Sequence, residues 1–185
     1  MTAKQSKTGR EIPFPPSGKH GITASFWCFW QVFYLEQLLC CVENLVELCQ
    51  EDCKEISLQL TKVLVTIMAI PTAGHLYVKL EEAMSALAEV QHIRDATGLY
   101  KQHISQLMEW LSSTHHGWSS CSPELLQLDV VATQSGPLIA EVLKDFISIL
   151  KTCLHTSKDP RMRLKLFSIL SQLLQSPGET VNSKG

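Results

Sequence analysis

The sequence predicts an all-α chain of about seven amphipathic helices that stack as antiparallel hairpins. Apolar residues recur at steps of three and four along most of the chain, which is the spacing of one helix face. Proline, glycine and acidic residues interrupt this pattern repeatedly, as is typical of short links between helices. No stretch has the convincing alternation of a β-strand. These three observations favour a row of helices over a sheet.

The chain divides into three predicted segments. Residues 1–24 contain Pro13, Pro15 and Pro16 and lack apolar periodicity, so we expect them to be disordered. Residues 25–176 hold the helical repeats, and residues 177–185 form a flexible tail. The aromatic run Phe26–Tyr34 is far shorter than the roughly 20 apolar residues that a membrane-spanning helix needs. It predicts the start of the first helix rather than a membrane or signal segment.

The first predicted helix covers about Trp30–Cys49. Three acidic residues fall within a narrow arc roughly opposite its apolar stripe, which predicts a solvated face formed by Glu36, Glu43 and Glu47. The stripe itself consists of Leu35, Leu38, Leu39, Val42, Leu45, Val46 and Cys49. A second helix is predicted over about Cys53–Ala69, and Pro71 ends it.

Three shorter helices are predicted next. The third covers about Leu76–Val90 and the fourth Leu99–Leu111, each with apolar residues at helical spacing. The fifth begins at Ser122-Pro123-Glu124, which reads as an N-terminal cap, a first-turn proline and a first-turn acid, and it ends near Thr133.

The last two predicted helices lie between Leu138 and Gln175 and are joined by a hinge at Ser157–Pro160. Asp159 is suited to cap the seventh helix, with Pro160 at its first position. The sixth helix has the stripe Leu138, Ile139, Val142, Leu143, Phe146, Ile147, Leu150, Cys153 and Leu154; the seventh has Met162, Leu166, Phe167, Leu170, Leu173 and Leu174. One hairpin cannot bury both stripes, so they need helical neighbours. Helix starts recur roughly every 40 residues, in the range of two-helix solenoid repeats.

Composition narrows the class of partner. The chain has a net charge of −2, from 16 basic and 18 acidic residues, so no strong field favours nucleic acid or an anionic membrane. We therefore expect protein partners. Seven cysteines, mostly within apolar pattern, indicate a reducing compartment, and we expect a cytoplasmic protein.

Three clusters of residues have side chains that could form a chemical site. Cys40, Cys41, Cys49 and Cys53 lack the paired spacing of a zinc site, so we expect no metal and no cofactor. His115, His116 and Cys121, with His103 nearby in sequence, offer a nucleophile and a base, and a small hydrolase is the alternative function. A surface loop anchored by Trp118 is the preferred interpretation, and we expect no catalytic residues. The basic residues Lys158, Arg161, Arg163 and Lys165 predict a solvated edge or contacts with a neighbouring repeat's acids.

The stretch KDPRMRLKLFSIL at Lys158–Leu170 resembles the turn of a HEAT repeat, with Asp-Pro followed by an arginine and an apolar helix. Together with Tyr34–Cys53, Ser122–Pro137 and the ending TVNSKG, it resembles the HEAT-repeat dynein axonemal assembly factors. The likeness spans about Tyr34–Gly185 and leaves out Met1–Phe33. It implies a HEAT-like, armadillo-like α-solenoid that corresponds to part of a much longer protein.

The resemblance also implies a function. Members of that family are non-enzymatic cytoplasmic scaffolds for preassembly of the axonemal dynein arms of motile cilia. The implied partners are axonemal dynein subunits, the dynein intermediate chain among them, and other dynein assembly factors or chaperones. A further alternative is a truncated product without retained function, because the ends of a partial stack expose apolar helix faces.

Overall fold

The computed structural model describes residues 24–156 and 159–175, and the side chains of residues 32–155 and 159–175. Within these ranges the chain forms seven α-helices and no strand. The helices are α1 (Ala24–Cys49), α2 (Cys53–Met68), α3 (Tyr77–Glu89), α4 (Ala96–Ser112), α5 (Pro123–Ser135), α6 (Leu143–Thr156) and α7 (Pro160–Gln175). Short 3₁₀ segments at Gln50–Asp52, Pro71–Leu76, His115–Gly117 and Gly136–Val142 occupy several of the links. The HEAT-like helical stack is confirmed.

Two predicted segments fall mostly outside the described residues. The expected disordered segment, residues 1–24, meets the described part only at Ala24, where α1 begins. The expected tail, residues 177–185, and Ser157 and Lys158 of the hinge lie wholly outside it.

The core is one continuous cluster to which all seven helices contribute buried apolar side chains. Each helix from α1 to α4 packs against the next helix in the sequence, and α6 packs against α7; packing also joins α1 with α3, α4 with α6 and α5 with α7. The α6–α7 contact on which the fold prediction rested is present. Helix α5 also packs against α2, so it lies among α2, α4 and α7. Helices α2 and α4 each pack against four other helices, so they are the most enclosed of the stack.

Local residue chemistry explains where several helices begin and end. The Asp95 carboxylate accepts a hydrogen bond of 2.8 Å from the Gly98 N–H and caps α4. The Asp159 carboxylate does the same for α7, accepting from the Arg161 N–H at 2.9 Å, as predicted. Ser122 precedes α5 as predicted, but its hydroxyl makes no capping bond and instead accepts from the Ser119 N–H.

The link between α5 and α6 differs from the prediction. Helix α5 continues to Ser135 and is followed by the 3₁₀ segment, so α6 begins at Leu143 rather than Leu138. Gly136 has a φ of +50°, a conformation that residues with a Cβ rarely adopt, and it turns the chain out of α5. Pro137 has no N–H to continue the α-helical hydrogen bonding.

Several stripes are rotated relative to the prediction. In α6 and α7, Leu143, Phe167 and Leu174 are exposed, whereas Ile149 and Ile169 are buried. In α1, Leu38 and Leu45 are exposed, and the buried row is Leu35, Leu39, Val42 and Val46. Helical spacing indicates which residues share a face, but the positions of the neighbouring helices determine which part of that face is covered.

Candidate functional site

The loop after α4 contains His115, His116 and Cys121, the residues that would form the active site of a small hydrolase. The His115 Nδ1–H donates to the Ser112 carbonyl, and the buried His115 ring lies against the His116 ring with centroids 4.0 Å apart. The buried Trp118 indole N–H donates to the Thr114 hydroxyl at 3.1 Å. The loop is therefore anchored through Trp118, as predicted.

This loop does not assemble a nucleophile and a base. Cys121 is exposed, and its sulfur contacts the Ser120 hydroxyl at 3.9 Å. Among the described residues no hydrogen bond joins Cys121 to His115 or His116; the His115 ring instead bonds the Ser112 carbonyl and lies against the His116 ring. Within the part of the chain that the structure describes, Cys121 therefore has no general base in hydrogen-bonding reach.

His103 lies apart from this loop, contrary to the predicted cluster. Its Nε2 and the Ser57 hydroxyl are 2.8 Å apart and join α4 to α2. Burial lowers the pKa of His103, so the imidazole stays neutral. Ser57 is 0% exposed and His103 is 6% exposed, so no substrate reaches the hydroxyl. The pair satisfies two buried polar groups rather than forming a catalytic site.

The cysteine cluster is divided between the core and the surface. Cys53 is buried, and its thiol lies 3.7 Å from the carbonyl oxygens of Leu45 and Val46. Burial, and then the nearby Cys49, raises the pKa of Cys53, which disfavours the thiolate that binds metals. Cys40 and Cys41 are exposed. In the described ranges no three His, Cys, Asp or Glu side chains are placed to hold a metal ion.

The predicted basic patch is split. The Lys165 ammonium lies 2.7 Å from the Asp129 carboxylate, so it joins α7 to an acid of α5, one of the two predicted roles. Arg161 and Arg163 are exposed, and Lys158 lies outside the described residues. Of the three described basic residues, Lys165 is therefore paired across the helices, while Arg161 and Arg163 lie on the surface.

The acidic side chains of α1 are mostly exposed and make one weak contact. Glu43 and Glu47 are exposed as predicted, and Glu36 is partly covered. The Glu36 carboxylate lies 3.9 Å from the His75 imidazole, a partly exposed contact that contributes little to stability.

An open apolar groove of about 310 Å³ lies where α6, α7 and the 3₁₀ segment before α6 meet. We call it the α6–α7 groove. Every residue that lines it is apolar: Gly136, Pro137, Ile139, Ala140, Leu143, Phe146, Ile147, Leu170, Leu173 and Leu174. Leu143 and Leu174 at its rim are exposed, so the groove can accept an apolar side of another polypeptide. The predicted stripes missed this groove because they assigned both leucines to the core.

No single helix in the described ranges combines the length and the hydropathy needed to cross a bilayer. One bent pair, Val32–Met68 with Pro71–Glu89 at 111°, meets the requirement on length and composition only.

Comparison with known proteins shows which proteins the chain resembles. The family model for the HEAT-repeat domain of dynein axonemal assembly factor 5 matches residues 28–71, which hold most of α1 and all of α2. Dynein axonemal assembly factor 5 of Xenopus laevis is 48% identical over 155 residues, which cover 84% of this chain and 18% of the relative. The chain is homologous to the HEAT-repeat dynein axonemal assembly factors.

Dynein axonemal assembly factor 5 of two mammals gives the same result. The Mus musculus protein is 48% identical and the Homo sapiens protein 47% identical, each over 152 residues covering 82% of this chain. The resemblance to HEAT-repeat dynein axonemal assembly factors is thereby confirmed. The chain spans about a fifth of the length of these relatives, 18% in each case. No solved structure matches it significantly.

Proposed function

We propose that the chain is a non-enzymatic scaffold for the cytoplasmic preassembly of axonemal dynein arms, acting by binding other proteins. The observation that carries this proposal is its near 48% identity to proteins named dynein axonemal assembly factor 5 over more than four fifths of the chain. A helical stack with an open apolar groove is suited to holding a polypeptide by many modest contacts.

We propose axonemal dynein subunits as partners, the dynein intermediate chain first, together with other assembly factors or chaperones. The α6–α7 groove is the surface proposed for the dynein intermediate chain. Its lining is apolar throughout, which suits the nonpolar face of an amphipathic segment. The Glu36, Glu43 and Glu47 face of α1 is the second surface considered, although solvation alone accounts for its two exposed acids.

A pulldown from ciliated-cell extract tests the function and the surface together. The full chain should enrich the dynein intermediate chain relative to an unrelated HEAT fragment. Leu174→Lys places a charge in the groove and should remove most of the enrichment. Leu164→Lys is the matched control, because Leu164 is on the same helix and 73% exposed but does not line the groove.

Three results would contradict parts of this proposal. No enrichment by the unmodified chain would reject dynein binding. Equal loss with Leu164→Lys and Leu174→Lys would reject the groove as the specific surface. Turnover by the chain that disappears with Cys121→Ala would instead support the hydrolase alternative.

A further inference from the structure

Helix α1 carries a second apolar row that the core does not cover. Leu38, Cys41, Leu45 and Leu48 follow one another at steps of three, four and three, and all four are exposed. We call this row the α1 seam. Alternating steps of three and four are the spacing with which one helix packs along another in a coiled coil. The seam is therefore a surface suited to a second helix.

The charges of α1 lie away from the seam. At about 100° per residue, the acidic row is centred roughly 160° around the helix from the seam. The neighbouring residues Gln37 and Asn44 are uncharged, as are the seam residues themselves. The acidic row consists of Glu36, Glu43 and Glu47. A charged partner would find no opposite charge along the seam, whereas a second copy of the same surface brings no like charges together.

We propose that the α1 seam pairs with the α1 seam of a second copy of the chain. Steps of three, four and three read the same in both directions, so the seam is complementary to itself in an antiparallel pair. Leu38 then lies opposite the partner's Leu48, and Cys41 lies opposite the partner's Leu45. A surface that contacts itself in this way gives a closed twofold dimer rather than an open chain.

The seam also predicts how stable the dimer is. Eleven residues from Leu38 to Leu48 span about 15 Å of helix, which is far less than a permanent interface covers. The dimer therefore forms reversibly and depends on protein concentration. Its formation does not depend on the dynein partner proposed above.

Sedimentation equilibrium of the full chain, under reducing conditions and across a range of concentrations, tests the dimer. Leu48→Lys should raise the dimer dissociation constant more than about tenfold, because each end of the dimer would then press an ammonium group against the partner's Leu38. Leu48 is 81% exposed in the single chain, so circular dichroism should show an unchanged helix content. Leu174→Lys is the control for the other exposed apolar surface and should leave the dimer intact.

Cross-linking by a short bismaleimide tests the geometry, because the adjacent Cys40 and Cys41 are both exposed but point about 100° apart. A variant keeping Cys41, with Cys28→Ser, Cys40→Ser and Cys121→Ser, should give a covalent dimer. The matched variant keeping Cys40, with Cys41→Ser in its place, should give little. In the antiparallel pair the two Cys41 residues are separated by about 6 Å along the helix axis.

A chain that stays monomeric at every concentration would overturn the proposal. So would a dimer that Leu174→Lys disrupts and Leu48→Lys does not, since that interface would be the α6–α7 groove. Preferential cross-linking through Cys40 would place the contact on another side of α1 and would also overturn it.

Discussion

Ser57 and His103 form a buried polar contact between two helices that are otherwise joined by apolar packing. Each interrupts an apolar row at helical spacing, Ser57 before Leu60 and Leu64, and His103 between Leu99 and Leu107. A Ser and a His on buried faces require partners, because an unpaired buried polar group costs stability. The sequence therefore indicates that each of these two side chains needs a buried hydrogen-bond partner. It does not indicate that they are partners of each other, because 46 positions separate them in the chain.

His103 should make folding stability sensitive to mild acid. Its folded pKa lies below the ordinary value of 6.5 because of burial, so between those two pKa values only the unfolded chain takes up the proton. Stability is therefore unaffected above about pH 6.5 and falls as the pH drops through this window, by at most about 1.4 kcal/mol per pH unit. Urea unfolding at about pH 7 and at about pH 5.5 measures this loss of folding stability.

His103→Gln should flatten this dependence, since an amide oxygen can still accept from the Ser57 hydroxyl and does not titrate in this range. His116→Gln, at an exposed position in the same protein, is the control and should keep the original slope. Equal slopes in the original chain and His103→Gln would show that His103 does not control the acid response.

Among the helices, α4 depends visibly on its cap. Asp95 bonds the Gly98 N–H, which otherwise has no partner within the helix. Asp95→Ala should destabilise the chain by about 1 kcal/mol, measured as a lower midpoint of thermal unfolding. Asp95→Asn should retain most of the stability because the amide oxygen also caps. If both variants lose the same stability, the exposed Arg94–Asp95 ion pair is responsible instead of the cap.

Helix positions were predictable from sequence, but their orientations were predictable only in part. The apolar periodicity located all seven described helices, although α1 begins six residues before its predicted start and α6 five residues after it, and Asp159-Pro160 located the start of α7. It assigned Leu143 and Leu174 to the core because both continue a stripe at steps of three and four. The packing of α5 against α7 instead turns Ile169 inward and leaves Leu174 at the groove, which no local pattern specifies.

For the molecule as a whole, two separate apolar surfaces are expected to govern its tendency to aggregate. The α1 seam and the α6–α7 groove each expose leucines, which favours aggregation on heating. The double variant Leu48→Lys and Leu174→Lys should reduce light scattering during thermal unfolding. Because these side chains are 81% and 85% exposed, the free energy of unfolding of the monomer should change by less than about 0.5 kcal/mol for each.

Unchanged scattering in that double variant would show that other surfaces drive aggregation. Strong scattering from the original chain well below its unfolding midpoint would favour the truncated product over a usable scaffold.

The family was recognisable from sequence because several segments of the chain together matched it. The packing of α5 against α2 was not recognisable, since a repeat of roughly 40 residues gives the order of helices but not every neighbour.

The enclosed positions of α2 and α4 have a consequence for how the molecule unfolds. Helices α1 and α7 each pack against two other helices, whereas α2 and α4 each pack against four. Thermal fraying therefore starts at the outer helices and moves inward. The backbone amides of α2 and α4 are the last to exchange their protons with water.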